Sequence, residues 1–480
     1  MAVGCSFLIQ ADRIHATPSP LFSLNEQPIS RSTAERTSPA SVKESSVDLS
    51  ISARSLLVQP EIEFPLFDGK LHKAKLIELE RRGTNDLTWR GKIVGSEDDV
   101  SLTLKGGHMA GLIYSGDQVY EIVPKGPDHV LMQLDQDLFP LCGGAPTVAD
   151  SGKAVQRSAG VSVDSGDRID VLVLYTAAVR NTLGGTAQAQ TFAQQAIDST
   201  NTAYANSGIR QRIRLASALE TTITEIGTLG AELSAIVSDA TIASLRDQHK
   251  ADLVALISNS SDNCGIGYLS AGNAAFGFTV TARNCAVGNL SFAHELGHNM
   301  GSHHNPENGG AGSAYPFSFG HYVNGVFRTV MSYTNPCPNG CPRRPYFSNP
   351  AVLFNGFPTG IFNARDNARS INLTADSTAA YRYSGSSITL EKYNGGDGVA
   401  LPRRISRSIE WSSENVAGNV KIELSRNGGR TWETLVGNTA NDGSETVHVF
   451  GRPVKTGRVR ISSLNTPFVS DSSPNNVQIR

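Results

Sequence analysis

Hydrophobic and polar positions change rhythm several times along the chain. Between residues 29 and 55 Ser, Thr, Ala, Pro and charge dominate. Such a texture buries too little apolar surface to order itself, so residues 1–58 read as a leader. From 61 to 140 short alternating runs, Val100-Leu102-Leu104 and Val119-Tyr120-Ile122 among them, are separated by Gly106-Gly107 and Gly116-Asp117. That spacing predicts a small β-meander, a β-rich unit over 59–150. A second loose stretch follows, rich in Gly, Ser, Ala and Lys, and residues 151–168 are expected to be a cleavable linker with Arg157 and Arg168 as processing points. The apolar run at 169–175 has the length of a buried strand. Helices are expected at 187–206 and 233–248, with strands at 213–218, 253–257 and 276–282, the alternation of an α/β sheet across 169–384. Beyond Ser384-Gly385-Ser386-Ser387 the texture is all-β, with turns at Asn394-Gly395-Gly396, Asn427-Gly428-Gly429 and Asn441-Asp442-Gly443. It predicts a β-sandwich over 388–480 with Trp411 and Trp432 in its core.

Charge adds little. The 42 basic and 44 acidic residues leave a formal charge of −2, which points to neither a nucleic-acid nor a membrane-surface partner. No apolar run approaches the ~18–20 residues of a transmembrane helix. At the N-terminus 2–11 is a mildly apolar stub without a basic cluster, readable either as a shortened export signal or as a plain tail. Of the six cysteines, Cys264 and Cys285 form a long-range pair and Cys337 and Cys341 a C-x3-C pair. Disulfides of that kind need an oxidising compartment, so the expected location is secreted. For Cys337 and Cys341 half of a zinc knuckle is the other reading, without a second pair to complete it.

The chemistry is concentrated in His294-Glu295-Leu296-Gly297-His298-Asn299-Met300-Gly301-Ser302-His303-His304, which fits H-E-x-x-H-x-x-G-x-x-H. Residues four apart share a helix face, so His294 and His298 can aim their rings at one ion. Gly301 lets the chain leave the helix sharply and return His304 as a third ligand. His303, next door, is out of register. Three neutral imidazoles leave zinc one open position, for a water whose pKa falls to about 7. Glu295 is the expected general base for attack of that water on a peptide carbonyl. Histidines on a solvated helix face are the plain alternative.

This stretch resembles the metzincin zinc metalloproteases, and its HELGHN core is most similar to the reprolysin or adamalysin branch in secreted bacterial proteases. The resemblance covers about 169–383. It implies an α/β catalytic domain with a mixed sheet and an active-site helix, here flanked by a β-rich inhibitory prodomain and the C-terminal sandwich. It also implies one catalytic zinc and protein or peptide substrates. Thr329-Val330-Met331-Ser332-Tyr333 looks like the Met turn, with Met331 as an apolar floor under the imidazoles. Asn305 departs from the Asp usual in reprolysins. Met-Ser-Tyr is closer to serralysins and astacins, which implies an oxyanion-donor or switchable-ligand role for Tyr333; the alternative is a packing tyrosine. Cys142, followed by glycine and placed before the loose linker, is similar to a cysteine switch that blocks the zinc until processing; the alternative is a free thiol. Calcium is known in such proteases, but no calcium-loop motif is present here. The C-terminal unit is expected to bind substrate or a surface. A catalytically inactive adhesin on the same scaffold is the competing function.

Overall fold

The computed structural model describes residues 20–25, 36–50, 53–56, 59–83, 85–147, 168–429, 432–467 and 469–480. The export stub and the linker, apart from Arg168, lie outside the described residues.

Nine strands form one antiparallel sheet: β1 (Phe22–Leu24), β2 (Ser41–Leu49), β3 (Glu61–Pro65), β4 (Leu71–Gly83), β5 (Asp86–Ile93), β6 (Asp99–Lys105), β7 (His108–Ser115), β8 (Gln118–Lys125) and β9 (Asp128–Leu134). Their order is β1-β2-β9-β8-β7-β6-β5-β4-β3. The expectation that 29–55 could not order itself is corrected at β2, which pairs with β9, and at the short helix α1 (Ala53–Leu56). Hydrogen bonds hold the start of β2. The Glu44 carboxylate accepts from the Thr37 amide at 2.7 Å, its hydroxyl at 3.0 Å and the Ser41 hydroxyl at 2.6 Å. An apolar pattern alone therefore underestimates this strand.

A second sheet has the order β11-β10-β12-β14-β13, built from β10 (Arg168–Tyr175), β11 (Arg212–Glu220), β12 (Leu253–Ser258), β13 (Gly265–Gly267) and β14 (Phe278–Ala282). The strands β11, β10, β12 and β14 are parallel, and β13 runs antiparallel at the edge. The apolar run of β10 is central and buried on both faces, as parallel strands require. Helices α2 (Ala177–Leu183) and α3 (Thr186–Asn206) connect β10 to β11. The single helix expected at 233–248 is two, α4 (Leu229–Ser238) and α5 (Ala240–Gln248). Asp239 breaks them, its side chain accepting from the Ile242 amide at 2.9 Å as the cap of α5. A turn, α6 (Arg283–Ala286), leads into α7 (Ser291–Asn299), and α8 (Asn367–Thr378) packs late in the chain, capped by Asp366.

One apolar core joins Leu112, Val119, Val130 and Leu134 of the first sheet to Val171 of the second, Phe292 of α7 and Met331 in a later turn. Helix α3 lies between the sheets and is buried almost throughout.

The C-terminal residues form a three-stranded and a five-stranded sheet around their own core, which includes Trp411. Trp432 is not part of it: half-buried, it lies under the Arg460 guanidinium at 4.2 Å. Among the described residues no helix is long and apolar enough to cross a membrane.

Candidate active site

Helix α7 carries His294, Glu295 and His298, all buried. It ends in a turn that only glycine fills easily. Gly301 has φ +80°, its amide bonds the His298 carbonyl at 2.8 Å, and the Ser302 amide bonds the Gly297 carbonyl at 2.9 Å. A Cβ on Gly301 would lie 2.3 Å from the Ala314 methyl. The turn swings His304 back beneath the helix. Its Nε2 then lies 3.1 Å from His298 Nε2, which is itself 3.1 Å from His294 Nε2.

Each of the three rings is oriented through its other nitrogen. His294 Nδ1 bonds the Val330 carbonyl at 2.8 Å, His298 Nδ1 the Ser302 carbonyl at 2.8 Å, and His304 Nδ1 reaches the Asn308 carbonyl at 3.4 Å. A carbonyl accepts only, so Nδ1 carries the proton and every Nε2 presents a lone pair. Burial, with the neighbouring rings, holds His294 and His298 well below the usual imidazole range and brings His304 down to about 3. Three converging lone pairs repel one another unless a cation lies between them. Zinc–nitrogen bonds of about 2.0–2.1 Å in a tetrahedron place ligand nitrogens ~3.3 Å apart, so the donor set fits zinc.

The Met turn lies directly behind. Val330 supplies the carbonyl that orients His294, and Met331 is fully buried, packed so close to α7 that a Cβ on Gly297 would come within 2.6 Å of its sulfur. His303 points elsewhere, its Nε2 accepting from the Gly310 amide at 2.9 Å. Asn305 Oδ1 accepts from the Tyr333 amide at 3.0 Å, and the Tyr333 ring lies 4.3 Å from that of His304.

The fourth donor comes from beyond β9. Cys142 Sγ is 4.0 Å from His298 Nε2, and the sulfur and three ring nitrogens lie within 4.8 Å of one another. Residues 141–147 reach the cluster by lying along the free edge of β13. Cys264 donates to the Leu141 carbonyl at 3.0 Å, Gly143 to the Gly265 carbonyl at 2.7 Å and Leu269 to the Pro146 carbonyl at 3.0 Å, with Thr147 and Leu269 in parallel register. Burial and the charge of Glu295 push the free Cys142 thiol up. Disulfides join Cys264 to Cys285 and Cys337 to Cys341, so a zinc knuckle is excluded.

Three features carry no sequence signal that a motif search would find. No nitrogen or oxygen donor bonds either Glu295 oxygen, the Cys142 thiol is the one side-chain donor facing it, and burial pushes its carboxyl up. Room for that carboxylate is made by β13, where a Cβ on Gly265 would lie 2.5 Å from Glu295 Oε1. Beside it Arg328 and Arg343 are buried side by side.

The reprolysin-type model of metallo-peptidase family M12 matches residues 165–348. The peptidyl-Asp metalloendopeptidase of Xanthomonas campestris pv. campestris is 30% identical over 317 residues, covering 63% of this chain and 74% of the relative. The chain belongs to family M12. A peptidyl-Asp metalloendopeptidase of Stenotrophomonas maltophilia is 29% identical over 374 residues, covering 72% of the chain and 87% of the relative. One from Pseudomonas aeruginosa is 29% identical over 298 residues, covering 55% and 48%. As a member of M12 this protein is a zinc metalloendopeptidase acting on protein or peptide substrates, and the inactive-adhesin alternative is not favoured.

Proposed function

We propose that the protein is a secreted endopeptidase made as a zymogen, in which Cys142 occupies the place of the catalytic water. The observation that carries this is the four-donor cluster itself, with sulfur delivered by a segment from outside the catalytic sheet. His294, His298 and His304 would hold zinc. When bound, zinc supplies positive charge that polarises a peptide carbonyl and acidifies water.

The remaining work belongs to the chain. Glu295, adjacent to the cluster and faced by the Cys142 thiol until that segment leaves, takes the proton of the attacking water on a carboxylate oxygen and passes it to the departing amine. Tyr333 Oη, which donates to the Cys142 carbonyl at 3.4 Å, is placed to donate instead to the oxyanion once residues 141–147 have left. The edge of β13 is then free to pair with extended substrate by strand addition. From its peptidyl-Asp relatives the protein takes a preference for aspartate beside the cleaved bond.

Casein hydrolysis by the processed protein, with and without a chelator and beside Glu295→Gln, tests the reading. The chelator should abolish activity, and Glu295→Gln should lower kcat by about 10²–10⁴-fold with zinc content unchanged. Hydrolysis that survives both treatments would sink it.

A further inference from the structure

Beside Glu295 and His294 a pocket runs inward between α7 and the segment after the Met turn, and two guanidiniums form part of its wall. Arg328 and Arg343 are 2% and 5% exposed and are held in register by a parallel bridge. Their hydrogen-bond acceptors are neutral. Arg343 Nη1 donates to the Asn289 carbonyl at 2.7 Å, and Arg343 Nη2 and Arg328 Nη1 each donate to the Ser332 carbonyl at 3.2 Å. Both Nε atoms are buried without a partner.

Other buried arginines here show what a purely structural role looks like. Arg344, next in sequence, pairs with Asp98 and Asp117, and Arg90 pairs with Glu78 and Glu80. Arg246 has carbonyl partners only, but all three of its guanidinium nitrogens are bonded. Arg328 and Arg343 have neither arrangement, and among the described residues neither forms an ion pair. Two like charges buried together, with donors to spare, are strongly unfavourable unless an anion joins them.

The pocket is closed here by Gln136, Asp137, Phe139, Pro140, Leu141 and Cys142, all from the segment that follows β9. About 30 Å³ remains, room for little more than a water. Two carboxylates of the enclosed pocket lie nearby, Glu295, whose charge is felt by Arg343, and Asp137, which belongs to the plug and whose charge is felt by Arg328; among the described residues neither stands within ion-pair distance of the arginines. Once the plug is gone, the arginines border an opening that adjoins the scissile bond.

We propose that Arg343, backed by Arg328, is the binding site for a carboxylate side chain of the substrate, the device that makes this protease select aspartate. The inference rests on the protease reading above and gives its aspartate preference a physical origin. A planar guanidinium binds a carboxylate through two parallel hydrogen bonds, and the dry pocket strengthens them. The amide of asparagine has the same shape and lacks the charge.

The test uses the full chain after proteolytic activation and matched peptides with Asp or Asn at one position. The Asp:Asn ratio of kcat/KM should be on the order of 100 for wild type, the size of a lost charge-assisted contact in a buried site. Arg343→Gln should bring it to within about fivefold of one, Arg328→Gln should lower it about tenfold, and Arg343→Lys should recover part of it. The ratio does not depend on how much of a variant is correctly folded. Equal cleavage of both peptides by wild type, or wild-type ratios in both Gln variants, would overturn the assignment. Zinc-loaded wild type that cleaves no peptide at all would bring down the protease reading, and this one with it.

Discussion

At the scale of single residues the site depends on which histidine closes the triad. His303 and His304 are adjacent, both are buried, and their rings are 5.1 Å apart. Only His304 turns a ring nitrogen toward His298; His303 secures the loop through the Gly310 amide. The expected consequences differ in kind. His304→Ala should lower zinc affinity by at least about 100-fold, as loss of one of three ligands. His303→Ala should keep the zinc and lose about 1–2 kcal/mol of stability, the worth of a buried hydrogen bond and its packing. Zinc titration with a competing chelator, beside thermal unfolding, separates the two, and a reversed pattern would reassign the ligand. Cys142 makes a second claim at this scale. Cys142→Ala should give an uncleaved precursor that hydrolyses casein, whereas a precursor as inactive as wild type would rule out sulfur as the inhibitor.

At the scale of elements the geometry is set by what glycine omits. Strand β13 passes so near α7 that Gly265 has no space for a methyl group beside Glu295. Gly265→Ala should shift the carboxylate by up to an ångström and lower kcat by about 100-fold while zinc content stays constant. Unchanged kcat would mean that the carboxylate has more latitude than its burial suggests. Helix α7 and the convergence of His294, His298 and His304 were legible in the sequence because a four-residue spacing and a glycine exit are local signals. Gly265 was not, since its partner lies thirty residues away and meets it only across the sheet edge. The arginine pair was hidden for the same reason, as Arg328 and Arg343 become neighbours only through the loop that the Cys337–Cys341 disulfide closes. Periodicity misled where polar groups do the holding, at β2 with its buried Glu44 and at the break between α4 and α5, where apolar spacing runs on through Asp239.

At the scale of the whole molecule, the zymogen proposal asks a detachable inhibitor to share a core with the enzyme, and α3 reconciles the two. The face it turns to the nine-stranded sheet is polar. Thr191 donates to the Lys105 carbonyl, Gln195 to the Ser101 carbonyl, Asn206 to Asp99, and Asp198 accepts from Thr88 and Thr103. Water can replace each of these bonds, so α3 survives removal of the sheet, while the apolar contacts elsewhere make docking tight. On the zymogen reading, cutting the linker alone should leave the two parts associated.

Their association should depend on pH. Glu121 on β8 is buried against Gly288, with Arg283 of α6 the charge that faces it and Glu44 and Glu225 the other acids around that arginine. Burial pushes its carboxyl up to about 8, and burial likewise pushes Asp99, bonded to Asn206 and Lys92, up to about 6. A released, hydrated glutamate ionises near 4.3 and an aspartate near 3.9. The docked form therefore binds more protons. Docking is fully supported below about pH 4 and weakens as pH rises toward 8. For linker-cut protein the dissociation constant of the N-terminal part should rise by at least about tenfold between pH 5 and pH 8. Glu121→Gln should remove most of that rise, and the difference between the two proteins cancels any titration at the zinc site. A wild-type dissociation constant that stays flat across this range would show that Glu121 keeps its ordinary acidity, and that the interface admits water where the packing around Gly288 says it should not.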